Sequence, residues 1–243
     1  MVRNVNKVIV VGSALTLLIS FWNRNDLPGN IQFTPGLESE PKQSLSLKRP
    51  FSIEHKGVTY LVEPEYDYEL YGMIVSYRHH NGNSRMHRLS NDHLNIADLC
   101  VVWGDTASSP YLNELKFWNG IFTCNVSTSD PDAWNAFRME QLSNNHLLSD
   151  DEVIRDRVED IKIGDQVRLH GWLSSYSSAG GSKRGTSITR TDSGDGACET
   201  IFLNEFEIVE TTIGPWRLTM YASLIVLFLS LIIHFRLPYR PYG

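Results

Sequence analysis

The two ends of the chain restrict its fold more than anything between them. VIVVGSALTLLISFW, residues 8–22, carries no charge, and neither does LTMYASLIVLFLSLIIHF, residues 218–235. A helix that crosses a bilayer needs about 20 predominantly apolar residues. The second run meets that length, with Trp216 and Tyr221 at one end and Tyr239 at the other. It lacks the polar face that a surface helix of a soluble domain keeps. The first run is shorter. Arg3 and Lys7 precede it, as in a signal peptide or a signal anchor, and ISFWNRNDLPG then offers a poor cleavage pattern. An uncleaved anchor is favoured. The expected spans are residues 1–22 and 214–237, with a short tail at 238–243.

The flanking cations orient these spans. Arg3 and Lys7 lie before the first and Arg236 and Arg240 after the second, against Arg24 and Arg217 on the opposing flanks. Positively charged flanks stay inside, so both termini are expected in the cytoplasm and the central part outside it. For a bacterial cell this means an inner (plasma) membrane protein with a periplasmic or extracellular domain. The lipid bilayer is then its first partner. A net charge of −6 argues against a nucleic-acid binder, which usually carries a basic face.

Residues 23–50, NRNDLPGNIQFTPGLESEPKQSLSLKRP, read as a flexible linker by their Pro, Gly, Ser and charge. Residues 51–213 then form a β-rich domain. FSIEHKGVTYLVEP suggests a hairpin turning at Lys56-Gly57, and YELYGMIVSYRH, DLCVVWG and GIFTCNVST read as strands. GDQVRLHGWLSSY places Val167, Leu169 and Leu173 on one face, and ETIFLNEFEIVE is a last long strand. Helical signals lie between. DPDAWNAFRMEQL has Asp130 as N-cap and Pro131 at the first position. SDDEVIRDRVEDI begins with Ser149 and Glu152 at capping-box spacing, and buries Ile154, Val158 and Ile161 as one stripe.

The order strand, strand, strand, helices, strand, strand resembles an OB-fold over roughly residues 66–210. The expected fold class is mainly β with a helical insert, an OB-like Greek-key barrel between two transmembrane helices. DLCVVWG, LSNNHLL and TSITRTDSGDGACETIF also resemble sequences of bacterial membrane-anchored proteins. That resemblance implies location and no activity.

Three cysteines, Cys100, Cys124 and Cys198, lie in or beside the strands. An exported domain permits one disulfide, and Cys100 with Cys124 is the preferred pair because consecutive strands often neighbour each other. Three buried thiols are the alternative. His79, His80, His87 and His93 cluster with Asp92 and Asp98, but the segment also carries arginines that would repel a cation. No metal and no cofactor is expected. The basic residues Arg78, Arg85, Arg88, Lys183, Arg184 and Arg190 are candidates for an anion-binding patch if two loops share a face. The long polar segment 177–197 contains no phosphate-loop, calcium-loop or G-x-S-x-G spacing. A nucleophile at Ser187 or Cys198 with His146 or His170 is conceivable there.

These features point to a non-catalytic recognition or assembly domain in the cell envelope, touching a protein partner or an envelope ligand. A hydrolase using the 177–199 loop and an accessory subunit acting through its helices are the alternatives. The flanking cations make a specific prediction. A reporter fused after Gly243 should be active only in the cytoplasm. Activity confined to the outside would reverse the orientation.

Overall fold

The computed structural model describes residues 2–80, 92–120, 123–178, 181, 183–189 and 198–236. The chain divides into two compact units, Met1–Ile31 with Thr212–Gly243, and Gln32–Thr211.

The first unit holds helix α1 (Val2–Trp22), from one end of the chain, and a second terminal helix, Pro215–Arg236, from the other. Both are long and apolar enough to cross a membrane, since about 20 residues at about 1.5 Å each span the hydrocarbon layer. They lie side by side, and the Asn6 side-chain amide donates to the Ser230 carbonyl at 3.0 Å. The buried positions of α1 are Asn6, Ser13 and Ser20, seven residues apart, and Ser223 and Ser230 repeat that spacing opposite. A seven-residue repeat keeps one seam facing the partner helix. Small residues in the seam let the two backbones approach. Ser13 and Ser20 donate to Ile9 and Thr16 carbonyls one turn back, so their hydroxyls are satisfied. Val11, Leu15, Leu18, Ile225 and Phe228 face outward.

The second unit is mixed and mainly β. Its strands are β1 (Lys42–Leu45), β2 (Phe51–His55), β3 (Val58–His79), β4 (Asn95–Val102), β5 (Lys116–Asn119), β6 (Cys124–Ser127), β7 (Leu142–Leu148), β8 (Gln166–Ser178) and β9 (Cys198–Glu210). Strands β5 and β6 form a separate antiparallel pair, and the other seven form one large sheet. The expected hairpin is present as β2–β3. Lys56 and Gly57 at its turn have φ of 51° and 75°, as a two-residue type I′ turn requires.

Strand β3 is long because it serves several neighbours in succession. It pairs with β2 at its start, with β8 from Tyr60↔Ser178 to Met73↔Gln166, and with β4 from Met73↔Val102 to His79↔Ala97. Register irregularities at Pro64/Tyr66 and Ile74/Ser76 bend it. Strand β4 continues to β7, β7 pairs in parallel with β9, and β9 pairs antiparallel with β8. One face of this sheet carries Leu99, Val101, Leu147, Val167, Leu169, Leu173, Ile201 and Phe206 into the main core.

The short helices between the strands include α2 (Pro131–Ala136) and α3 (Glu152–Glu159). The terminal helix Pro215–Arg236 is accordingly α4. Ile154, Val158 and Ile161 enter the core from α3 as one stripe. Its N-cap is Asp151, whose carboxylate accepts the Val153 and Ile154 amides at 2.7 and 3.3 Å. Ser149, expected in that role, instead accepts the Asp151 amide.

Three further expectations are corrected. GIFTCNVST does not supply the third strand of the large sheet; β6 pairs with β5, and β7 takes that place. The helix expected through Leu142 ends at Ala136, because the following segment is drawn into β7. Residues 23–50, read as a flexible linker, include strand β1 and the Thr34 amide bonded to Gln166 Oε1 at 2.9 Å.

Gly171 lies mid-strand in β8 against β9. A Cβ there would collide with the Phe202 carbonyl oxygen and meet the Leu203 Cα at 3.0 Å, both backbone atoms that cannot turn aside. Gly171→Ala is therefore expected to cost about 1–3 kcal/mol or more, read as a lowered Tm of the full chain in detergent.

Candidate functional site

Side chains of a strand alternate between its faces. Since Leu99, Leu147 and Ile201 point into the core, their neighbours on β4, β7 and β9 point the other way. Two rows of residues therefore cross four strands on the outer face. One row runs Ser76, Cys100, Asn144, Cys198, and the next runs Arg78, Asp98, His146, Thr200. Ser76, Asp98, Asn144, His146 and Thr200 are all buried, although they lie outside the core.

Two flanking pieces cover them. On one side the β5–β6 pair is joined to β4 by a Cys100–Cys124 disulfide. Asn119 of β5 accepts from the Ser76 hydroxyl at 2.6 Å and donates to the Asp98 carbonyl at 3.2 Å. On the other side lie residues 183–189. The Ser187 amide donates to the Cys198 carbonyl at 2.8 Å. Thr200 donates its hydroxyl to the Gly185 carbonyl and its amide to the Thr186 hydroxyl, both at 2.9 Å.

Asp98, 4% exposed, is the centre of the cluster. Its two oxygens take one imidazole each: His146 Nδ1 at 2.5 Å and His80 Nε2 at 2.7 Å. Burial alone would raise the Asp98 pKa, but the hydrogen bonds and charges of His146 and His80 overcome it and hold the carboxyl well below the usual carboxylate range. Burial likewise opposes a charge on His146. Hydrogen bonds to Asp98 and to the Cys198 thiol, with their charges, more than reverse this, and its pKa is pushed up to about 9. Asn144 Nδ2 is 3.3 Å from Cys198 Sγ. Cys198 is outside the disulfide and partly exposed. It stands two strands from Cys100, about 9.5 Å at ordinary strand spacing, farther than a disulfide reaches.

Among the described residues no group of three or more His, Cys, Asp or Glu is placed to hold a metal. Beside the Asp98 cluster, a cavity of about 290 Å³ opens at His79 and His80, lined also by Lys56, Glu152, Arg155 and Glu159.

Of the expected anion-binding residues, Arg78, Lys183 and Arg184 are described, each with a protein partner. Arg78 donates to the Asn119 carbonyl at 2.9 Å, on the outer face. Lys183 pairs with Glu63 at 2.5 Å, and Arg184 with Asp92 at 3.3 Å. Asp92 also accepts from the Tyr176 hydroxyl at 2.9 Å. Arg85, Arg88 and Arg190 lie outside the described residues, as does His87. Of the nucleophile pairings considered from sequence, Cys198 and His146 lie on one face of neighbouring strands, two residues apart in register. The Ser187 hydroxyl is engaged with Thr189 instead, donating to its carbonyl at 3.1 Å. Asp98 was legible only as a neighbour of the histidine cluster; nothing in a separation of 48 residues ties it to His146.

Compared with protein-family models, with curated proteins and with solved structures, the chain matches none.

The coupling of Asp98 and His146 gives stability a definite pH dependence. His146 binds its proton more tightly folded than unfolded. Its contribution is complete below the ordinary histidine value of 6.5 and is lost as pH rises through about 9. Asp98 contributes above the ordinary value of 3.8, and that contribution is lost on acidification. Asp98→Asn should lower stability by about 3 kcal/mol near neutral pH. It should also abolish the alkaline loss in a series of thermal melts.

Proposed function

We propose that the chain is a two-span membrane protein that presents an OB-like domain as a recognition or assembly module in a bacterial cell envelope. The observation that carries this reading is the buried polar face on β4, β7 and β9, beside the β5–β6 pair and residues 183–189. The pairings β3–β4–β7–β9–β8 return to β3, with α3 between β7 and β8 and a parallel contact only at β7–β9. That order supports a five-stranded OB-like barrel. Such barrels take ligands on their second and third strands, between the first and last of their connecting loops. Here those strands are β4 and β7. A polar array at that place suits a ligand that forms hydrogen bonds. The partner is a protein of the envelope or an envelope ligand such as an oligosaccharide or lipid headgroup, with the net charge set against nucleic acid.

The two helices suit the membrane: their polar side chains are turned toward each other and their large apolar ones outward. An accessory subunit that works through its helices would use this same pair, so the two readings separate by experiment. Tagged full-length protein, captured from gentle detergent, should retain a specific partner. Arg78→Glu with Arg184→Glu should cut recovery at least about 5-fold, an energy of about 1 kcal/mol, while exchange of both helices for generic spans leaves it unchanged. The opposite pair of results assigns the function to the helices.

A further inference from the structure

We propose that Cys198 is the nucleophile of an acyl-transfer site, with His146 as its proton acceptor and donor and Asp98 as the carboxylate that orients His146. This goes beyond recognition: a face that only binds keeps its rows of polar residues but needs no reactive sulfur.

A cysteine nucleophile needs a base within hydrogen-bond reach, a third group to hold that base, and a donor for the charge that develops on the substrate. All three converge on Cys198. His146 lies two residues along β7 from Asn144, the residue directly opposite Cys198, so the imidazole and the sulfur are diagonal neighbours on one face. Asp98 holds the Nδ1 of the same ring at 2.5 Å, leaving Nε2 as the nitrogen that serves the sulfur. Asn144 places its amide nitrogen 3.3 Å from Sγ, and its buried Oδ1 has no hydrogen-bond partner among the described residues. The four groups sit on three mutually paired strands, β4, β7 and β9, rather than on loops. Such a base is held to the narrow geometry that catalysis demands. Cys198 is partly exposed, while Asp98, Asn144 and His146 behind it are buried. His80 closes the second oxygen of Asp98 and acts as a positioning residue.

The substrate class is an ester or thioester. The single proton shared by Cys198 and His146 rests on the imidazole as the sulfur electron pair bonds to the carbonyl carbon, and the carbonyl oxygen takes up negative charge beside the Asn144 amide. As the carbonyl re-forms, the bond to the leaving alcohol or thiol breaks, and that group takes the proton from His146. Water then attacks the S-acyl group, giving a proton to His146. Collapse of the second adduct releases a carboxylic acid and returns that proton to the sulfur. No oxidant, metal or further reactant enters. An imidazolium that holds its proton as firmly as His146 does is a weak donor to an amine, so amides are the poorer substrates.

The probe is p-nitrophenyl acetate, offered to the full-length protein in detergent. About one p-nitrophenolate per chain should appear in a burst, with an acetyl group on Cys198 found by mass spectrometry after acid quenching. Cys198→Ala should abolish both. His146→Gln should slow acylation about 100-fold or more. Asp98→Asn should slow it at least about 10-fold and move the break in its pH–rate profile downward, because the imidazole loses its carboxylate. The charged groups about this ring are Asp98 on β4 and Cys198 on β9, with His80 and Arg78 facing Asp98 from β3 and its end. An intact Cys100–Cys124 peptide and an unchanged circular dichroism spectrum establish that each variant is folded. Absence of a burst, an acetyl group elsewhere, or a burst rate indifferent to His146→Gln overturns the proposal. So does a Cys198 that iodoacetamide alkylates but p-nitrophenyl acetate does not acylate.

Discussion

A carboxylate cannot stay charged under cover unless its surroundings replace the water it has lost. Asp98 meets that condition with two imidazoles, one on each oxygen. The cost of burying it is offset only while both remain in place, because removing one partner of a buried ionic group leaves the other uncompensated. The rest of the outer face follows from this. Strand β7 must lie where His146 reaches Asp98, β9 must lie parallel to β7 for Cys198 to meet His146, and the chain after β3 must turn so that His80 returns to the same carboxylate. A group so dependent on three segments fixes their register as firmly as the apolar residues behind it do.

The cover over the rows is of a different kind. The β5–β6 pair is tied by one covalent bond and a few hydrogen bonds from Asn119. Residues 183–189 are tied through backbone bonds to Cys198 and Thr200. These polar contacts lie beside a second apolar cluster, in which Leu148 and Phe202 of the same face pack with Tyr60 and Tyr176. The terminal helices reverse that arrangement. Their polar residues form the seam and their large apolar residues the surface, which is the distribution that a hydrocarbon solvent selects.

Those features with a strong local cause were legible in the sequence. The turn at Lys56-Gly57, the Ile154–Val158–Ile161 stripe, the Asp130 cap and the two apolar termini each rest on a few adjacent residues. What escaped rests on the rest of the fold. LSNNHLL does not alternate, because β7 is buried on both faces, its polar side one under the β5–β6 pair and the 183–189 segment. Period-two patterning is absent from such a strand. The helix begun at Asp130 reads as continuing, and only the pairing of β7 with β4 and β9 stops it. The site suffered the same loss of signal. Asp98, His146 and Cys198 were each visible, but the bonds between them cross strands.

Those separations also order events in time. Asp98 and His146 are 48 residues apart, and Asn144 and Cys198 are 54 apart. Contacts of long sequence separation form after local ones, because the loop they close must be ordered first. A parallel neighbour cannot arrive by a tight turn; the chain must first lay down α3 and the whole of β8. The β2–β3 hairpin can exist while the chain is still short, whereas the cluster around Cys198 is among the last structures to mature. A chain that stops before β9 has its disulfide cysteines but lacks the core residues Ile201, Leu203 and Phe206 and the outer row that Cys198 and Thr200 complete.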